Sequence, residues 1–411
     1  MMRSVSPETA RPVARRPLVV VAALGAVQIL AWGTSFYIPA VLAEPIVADT
    51  GWSLGWVVGG VSIGLLVAGL ISPRVGSLID KKGGRPVLAA SSLLYAAGLA
   101  GIGLSPTLPV YLLAWAVLGA GMGTGLYDAV FAALGKLYGK DARMPITNLT
   151  LFGGFASTVC WPLSAYLESA VGWRGTCLTY AAIHLCIALP LHLAVFPRGA
   201  QPRAESPNDD ASPPPPAAGP LRHPALVFVL LAAIMSIAAG IGSIVVVHLL
   251  IFLQARGIDF VTAVWLGTLF GPAQVAARVI ERLFGRHYHP VWTMIACCVL
   301  MAAGLAILLV DLPLVLLAIL LYGGGYGISW IARGTLPLAL FGPERYAVLI
   351  GRLAFPSLIV QALAPFAGAL LVERYGAHPT VAVLTAFAAI NVALIGSLWV
   401  LCRRPAGVKM S

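Results

Sequence analysis

The sequence is short of charge. Of 411 residues only 10% are Asp, Glu, Lys or Arg, where a soluble domain carries about 25%. Acid is scarcer than base, with 15 Asp and Glu against 26 Lys and Arg. A chain 59% hydrophobic with a mean hydropathy of +0.92 has little from which to build a soluble surface. The surplus of base is no nucleic-acid footprint, because the cations fall between apolar runs. There they bias topology and suit anionic lipid. Cysteine is sparse as well. The six (Cys160, Cys177, Cys186, Cys297, Cys298 and Cys402) show no C-x-x-C spacing, which argues for small core residues over disulfides or metal ligands. The phosphate-cradling G-x-x-x-x-G-K-[ST] does not occur, nor do H-E-x-x-H, G-x-S-x-G or a paired-carboxylate site. ATP as direct driver and enzymatic chemistry are therefore not expected, and neither is a cofactor or metal. No cleavable signal is evident: Met1–Arg16 is a basic, Pro-containing tail, and the first apolar run is too long for a signal core.

What the chain has is apolar runs, at approximately 17–43, 53–79, 85–104, 109–138, 145–167, 174–196, 224–253, 260–282, 290–310, 313–341, 346–372 and 378–401. Each approaches or exceeds the ~20 residues a helix needs to cross a bilayer. The expectation is an all-α polytopic membrane protein of twelve spans. An even number puts both ends on one side. With that side cytoplasmic, the outer loops hold only Arg174, Arg256 and Arg374 among the bases, and carry Glu44, Asp49, Asp259, Asp311 and Glu373. That asymmetry is what the positive-inside rule requires. Residues 197–223 begin P-R-G-A-Q-P-R-A-E-S-P-N-D-D-A-S-P-P-P-P. Such a segment cannot bury apolar surface and reads as a disordered or extended cytoplasmic linker. It divides an N-terminal unit, 1–196, from a C-terminal one, 224–411.

Between spans two and three runs Gly76–Arg85, G-S-L-I-D-K-K-G-G-R. Lys81, Lys82 and Arg85 should hold this turn in the cytoplasm. Gly83 and Gly84 let it reverse. Asp80, an acid among cations, reads on its own as a solvated loop residue. The pattern G-x-x-x-D-[RK]-x-G-x-[RK] in this place resembles the signature loop of the major facilitator superfamily. Gly76, Asp80, Lys81, Gly83 and Arg85 occupy its positions, and Gly84 departs from the family's usual Arg or Lys. The resemblance implies two pseudo-symmetric six-helix bundles that rock around a central substrate site. It also implies that Asp80 latches the inner side by meeting the start of span eleven. Arg345 and the first amides there are the partners this sequence offers. Arg352, further along, reads as a gate or anchor.

The halves repeat each other. A shift of 203 lays Leu118 on Leu321, Gly121 on Gly324, Ala129 on Ala332, Leu137 on Leu340, Gly139 on Gly342 and Pro162 on Pro365. A shift of 201 lays Gly76, Asp80, Lys81 and Arg85 on Ala277, Glu281, Arg282 and Arg286, a degenerate copy of the loop. Repeats with a site at their mid-membrane interface are a transporter architecture. Glycines crowd spans four and ten, where they permit close helix packing.

Charges inside spans are functional candidates by default. Asp128 in span four and Arg333 in span ten fall at similar depths under the repeat, on helices that line the family's central cavity. We expect Arg333 to bind an anionic group through its planar fork. Asp128 is expected to carry the coupling proton or to release Arg333 when substrate arrives. A permanent pair locking the halves is the structural alternative. Arg278 in span eight has two readings, a substrate contact or a side chain that snorkels to the inner surface beside Glu281 and Arg282. Gln28, Trp32 and Tyr37 in span one, Tyr127 in span four, His248 in span seven and Tyr326 and Trp330 in span ten complete a mostly apolar inventory suited to a small organic solute with a flat face. Each is equally readable as packing or as an interface anchor, and His248 as a helix–helix hydrogen bonder.

The expected activity is secondary transport of a small organic anion, coupled to a proton gradient, in the bacterial inner membrane. The protein is expected to act as a monomer in lipid, with a small-molecule substrate and protons as partners and no nucleic acid. D-T-G-W-S-L-G-W-V-V-G-G, entering span two, resembles the monocarboxylate–oxalate branch. Drug efflux ranks lower, because C-W-P-L-S-A around Pro162 matches the family's efflux motif poorly. A non-transporting receptor would call for soluble domains or long loops.

Overall fold

The computed structural model describes residues 17–196, 223–310 and 312–402. The basic N-terminal tail, the Pro-rich segment up to residue 222, Asp311 and the tail from Arg403 lie outside the described residues. The described chain is helix joined by short turns. Span one is α1, Pro17–Gly33, and α2, Pro39–Thr50; span two is α3, Leu54–Lys82; span three is α4, Gly84–Gly103. Span four is α5, Leu108–Gly125, and α6, Tyr127–Tyr138. Span five is α7, Arg143–Gly153, and the first part of α8, Ala156–Ile183. At Gly172 α8 leaves helical geometry with φ +71°, a value that glycine adopts without steric cost. The chain reverses there into span six, which continues through a π-helical turn, His184–Ala188, into α9, Leu189–Val195. The second half holds α10, Pro224–Gln254; α11, Phe260–Thr268; α12, Phe270–Phe284; α13, Pro290–Leu309; α14, Val315–Phe341; α15, Tyr346–Tyr375; and α16, Ala377–Cys402. Here α11 and α12 together are span eight. Twelve crossings in two six-helix bundles result, and both ends of the described chain sit on one face, the terminal face.

Four of the spans expected to be continuous, one, four, five and eight, are broken, and the breaks in one, four and eight have these local features. Pro39 has no N–H for the Ser35 carbonyl, and between α1 and α2 the Tyr37 amide reaches back to Trp32 O at 3.1 Å. Glu44 and Asp49, expected in an outer loop, therefore lie in α2. Leu126 is extended between α5 and α6. The Gly125 carbonyl freed there takes the Gln28 side-chain amide at 2.6 Å. Pro272 leaves the Thr268 carbonyl without its helical donor, and span eight breaks at Leu269.

Each bundle has its own core. Tyr95, Tyr111, Trp115 and Phe131 centre the first; Met294, Cys297, Leu305 and Leu353 centre the second. Lipid gives helices no hydrophobic reason to associate, so small residues and close contact carry the packing. A side chain on Gly98 would meet the Leu118 backbone, and one on Gly325 would meet Cys297 O and Met301 N. The repeat glycines Gly139 and Gly342 both take positive φ, +55° and +75°. The bundles meet along α3 and α15, and where α7 touches α12 and α14.

Candidate substrate site between the bundles

The break at Leu126 puts Asp128 in the first turn of α6, where a carboxylate is favoured by the helix dipole. Both of its oxygens are used. Arg333 Nε donates to Oδ1 at 2.7 Å and Nη2 to Oδ2 at 2.8 Å. The third arm of the guanidinium, Nη1, donates to Ser357 Oγ at 2.7 Å. Arg333 is thus fully engaged, and its charge is neutralised by a bidentate partner from the other bundle. Its guanidinium also lies 5.6 Å from the Trp330 ring centre.

Arg278 stands in a different condition. It is 3% exposed and points into the protein, away from the snorkelling position beside Glu281 and Arg282. Nε donates to Gly327 O at 2.9 Å, Nη1 to Thr150 O at 2.8 Å and Nη2 to Gln274 Oε1 at 3.4 Å. All three acceptors are neutral. A buried cation with no described carboxylate bonded to it carries a desolvation cost that neutral oxygens offset only in part.

Between the two arginines stands a wall of rings drawn from both bundles. Trp32 lies 5.2 Å from Tyr127 and 5.3 Å from Trp330, and Tyr127 lies 5.5 Å from Trp330. The series extends through Phe36, Tyr37 and Trp161 on one side, and through Tyr326 and Phe270 on the other. The Tyr127 hydroxyl donates to Thr150 O at 3.3 Å, the oxygen that Arg278 also bonds. Two buried polar atoms on α1, Trp32 Nε1 and Gln28 Oε1, have no partner.

The structure brings Gln28, Trp32, Tyr127, Tyr326, Trp330, Asp128, Arg333 and Arg278 to this one region. His248 is elsewhere. Its Nδ1 bonds Ile244 O in its own helix at 3.0 Å, and its ring lies against Gly368 and Phe252. Sequence reasoning missed Ser357, Gln274 and the Thr150 carbonyl. No pattern announces them, since each acts through a partner on another helix. In the loop motif Asp80 also departs from expectation. Its partner is Lys136 of α6 at 3.3 Å, within the same bundle, and not Arg345. Gly76 does meet the start of α15, where a side chain would run into the Ala347 carbonyl.

Paired bundles closed over such a site are the architecture of a membrane transporter, not of an enzyme. The chain belongs to the Major Facilitator Superfamily, whose profile matches residues 23–291. The fold is similar to that of the proton:xylose symporter XylE bound to 6-bromo-6-deoxy-D-glucose, with a TM-score of 0.70 and 13% identity over 93% of this chain and 95% of that one. It is similar also to the transporter FucP in the outward conformation, with a TM-score of 0.69 and 14% identity over 94% and 99%. An uncharacterized 38 kDa protein in the 23S RNA operon of Thermoproteus tenax is 33% identical over 141 residues, 34% of this chain. The aligned stretch spans only 37% of that relative's length.

Proposed function

We propose that this transporter moves a small organic anion with a flat apolar face, by alternating access, and that a proton gradient drives it. One observation supports the reading above the rest: Arg278 is a buried cation bonded only to neutral oxygens, beside a wall of aromatic rings. A carboxylate arriving there would supply the missing countercharge, and the rings of Trp32, Tyr127 and Trp330 would take its flat face. This moves the anchoring role from Arg333 to Arg278. Arg333 and Asp128 then form the inter-bundle tie that substrate loosens. The fold likeness to a proton symporter supports proton coupling. The loop cations support a bacterial inner-membrane protein with both ends cytoplasmic, six spans on each side of the Pro-rich linker, working as a monomer. The bundles would then be closed on the cytoplasmic side.

The test is current from purified protein in liposomes on a solid-supported membrane, challenged with aromatic and aliphatic acids, neutral sugars and lipophilic cations. An acid-evoked current that disappears in Arg278→Gln is expected. Acid currents of wild-type size in that variant, or currents from cations alone, would overturn the reading; the latter would favour efflux.

A further inference from the structure

Inside the N-terminal bundle, away from the site just described, lie two buried imidazoles that no role yet uses. His184 and His192, each 1% exposed, sit on span six, His184 at the start of the π-helical turn and His192 in α9 beyond it. Turns of this kind recur at functional positions. Thr34 Oγ1 lies 2.8 Å from Leu30 O and 2.9 Å from His184 Nε2. In the tautomer that makes hydrogen bonds of both contacts, Thr34 Oγ1 donates to Leu30 O and accepts from Nε2–H. Nδ1, fully buried and without a hydrogen-bond partner, is then the bare nitrogen. Its ring stacks on Tyr95 with centres 4.6 Å apart and planes 13° from parallel. A cation placed over that aromatic face is attracted by it. His192 Nδ1 is 2.9 Å from Ser92 Oγ, and its Nε2 is likewise buried and unpartnered. His192 lies one turn from the end of α9 on the terminal face.

We propose that His184 is a proton-binding site within the N-terminal bundle, reached from the terminal face by way of His192, and that it governs the break in span one through Thr34. The incoming proton adds to Nδ1. The Nε2–H bond to Thr34 Oγ1 stays, so the neutral ring becomes an imidazolium with no other bond made or broken. Thr34 belongs to the break between α1 and α2, two residues from Trp32 of the central site. Burial disfavours the charged ring. The proton is therefore held when the break opens and admits water, and released when it closes as it is here. Binding of the proton and the state of span one are then linked reciprocally.

Among the described residues of the helices packed against it, no other charge faces His184. α1 contributes no titratable side chain. α4 contributes Tyr95, while its Arg85 is bonded to Leu193 O. On α8, Tyr180 pairs with Ser164 and Arg174 is held at the opposite face by Gly103 O and Ser105 O. Cys160 and Cys177 are buried thiols, and Glu168 lies on the part of α8 that precedes Gly172. Asp128, the other candidate acceptor, has both oxygens occupied by Arg333. The proposal rests on the transport reading for its coupling, but not on the identity of the anion.

The experiment is a pH jump on proteoliposomes of the full chain on a solid-supported membrane, with no organic solute present. Wild type should give a charge transient. His184→Gln should abolish it, His192→Gln should slow its rise at unchanged amplitude, and Cys186→Ser, an exposed neighbour on the same turn, should leave it intact. No transient in wild type, a wild-type transient in His184→Gln, or a transient lost only in Asp128→Asn would overturn the proposal. Should His184→Gln not fold, 15N-imidazole NMR of the wild type in lipid serves instead. One ring with bare Nδ1 that protonates over the pH range of the transient, and that alone shifts in Thr34→Val, is expected; its absence overturns the proposal. A loss of acid-evoked current with the pH transient intact counts against the anion reading alone.

Discussion

Two seams join the bundles, and the pseudo-symmetry of the halves relates them: span two with eleven, and span eight with five. The first is nearly dry. Gly76 lies on the Ala347 carbonyl, Gly351 on the Ser72 carbonyl and Gly69 on Leu358 and Ile359. Its polar contact is the Ser72 hydroxyl, placed between Gly69 O at 2.8 Å and Gly351 O at 3.0 Å. The first of these is the carbonyl that Pro73 cannot serve. The second seam is rich in polar ties, beside apolar contacts such as Gly154 with Val275 and Gly334 with Ile146. Arg278 bonds Thr150 O, Arg282 bonds Asn148 Oδ1, and Arg143 bonds the Gly285 and Tyr288 carbonyls. Glu281, 7% exposed, accepts from Tyr288 Oη at 2.6 Å and Thr293 Oγ1 at 2.7 Å. The loop that keeps the family signature thus joins the bundles by backbone contact, and its acid is spent inside its own bundle. The degenerate copy supplies polar ties through Arg278 and Arg282, while its acid, Glu281, is likewise bonded within its own bundle. Glycine makes the difference: where Gly76 admits a neighbouring backbone, the matching Ala277 directs a methyl at Gly324 of its own half.

The sharpest way to break this contrast is to add bulk to the dry seam. Gly76→Leu should cost about 3 kcal/mol, the upper part of the range for overpacking, because the Ala347 carbonyl belongs to a helix backbone and cannot turn aside. Reversible denaturation in mixed micelles reads it. A loss no larger than that of Ala277→Leu would mean that the seams do not differ. Next comes Glu281→Gln on the polar seam. The amide keeps one acceptor for two hydroxyl donors; where the buried Thr293 hydroxyl is the one that loses its bond, the cost is about 1–3 kcal/mol, while Tyr288, 37% exposed, can turn to water. The same titration measures it, and a neutral result would remove Glu281 from the polar seam.

The sequence carried much of this, unevenly. Twelve spans were legible because apolar length is nearly sufficient to define a membrane helix. The depth match of Asp128 and Arg333 was legible because so few charges enter the spans. The breaks at Tyr37, Leu126 and Leu269 were not, since apolar residues flank all three; only Pro39 and Pro272 hinted at two of them. The partners of Arg278 were not legible either, because Gly327 and Thr150 lie on other helices, 49 and 128 positions away. Asp80 and Lys136 are 56 positions apart, and no local rule pairs them. His184 and His192 were legible in principle, by the same default that singled out Asp128, but an apolar run with no acid nearby hid them.

Asp80→Asn tests the signature acid against its degenerate copy. Asp80 and Lys136 are each about a third exposed, at 32% and 30%, and solvent screens such a pair to roughly 0.2–1 kcal/mol. Stability should move by no more than that, well below the Glu281→Gln loss. A larger loss, also seen in Lys136→Gln, would return the latch to the signature loop.

The smallest effect concerns pH and touches the polar seam alone. His289 Nδ1 accepts from the Val291 amide at 3.2 Å and so caps α13. Burial, and after it the Arg143 charge, hold its pKa below the ordinary 6.5. At mildly acid pH the unfolded chain then binds more protons than the folded one. The stabilisation from the neutral ring is complete above 6.5 and is lost as pH falls toward the folded pKa. Partial exposure keeps the effect small. The melting temperature should fall slightly between pH 7 and about pH 5.5 in wild type, and fall less in His289→Asn, where a capping side chain remains but cannot titrate. Because Arg143 serves both this turn and the polar seam, acid should loosen that seam and spare the dry one. Crosslinking of cysteine pairs across each seam at the two pH values would tell them apart. An equal response at both seams, or a pH slope undiminished in His289→Asn, would place the sensitivity elsewhere.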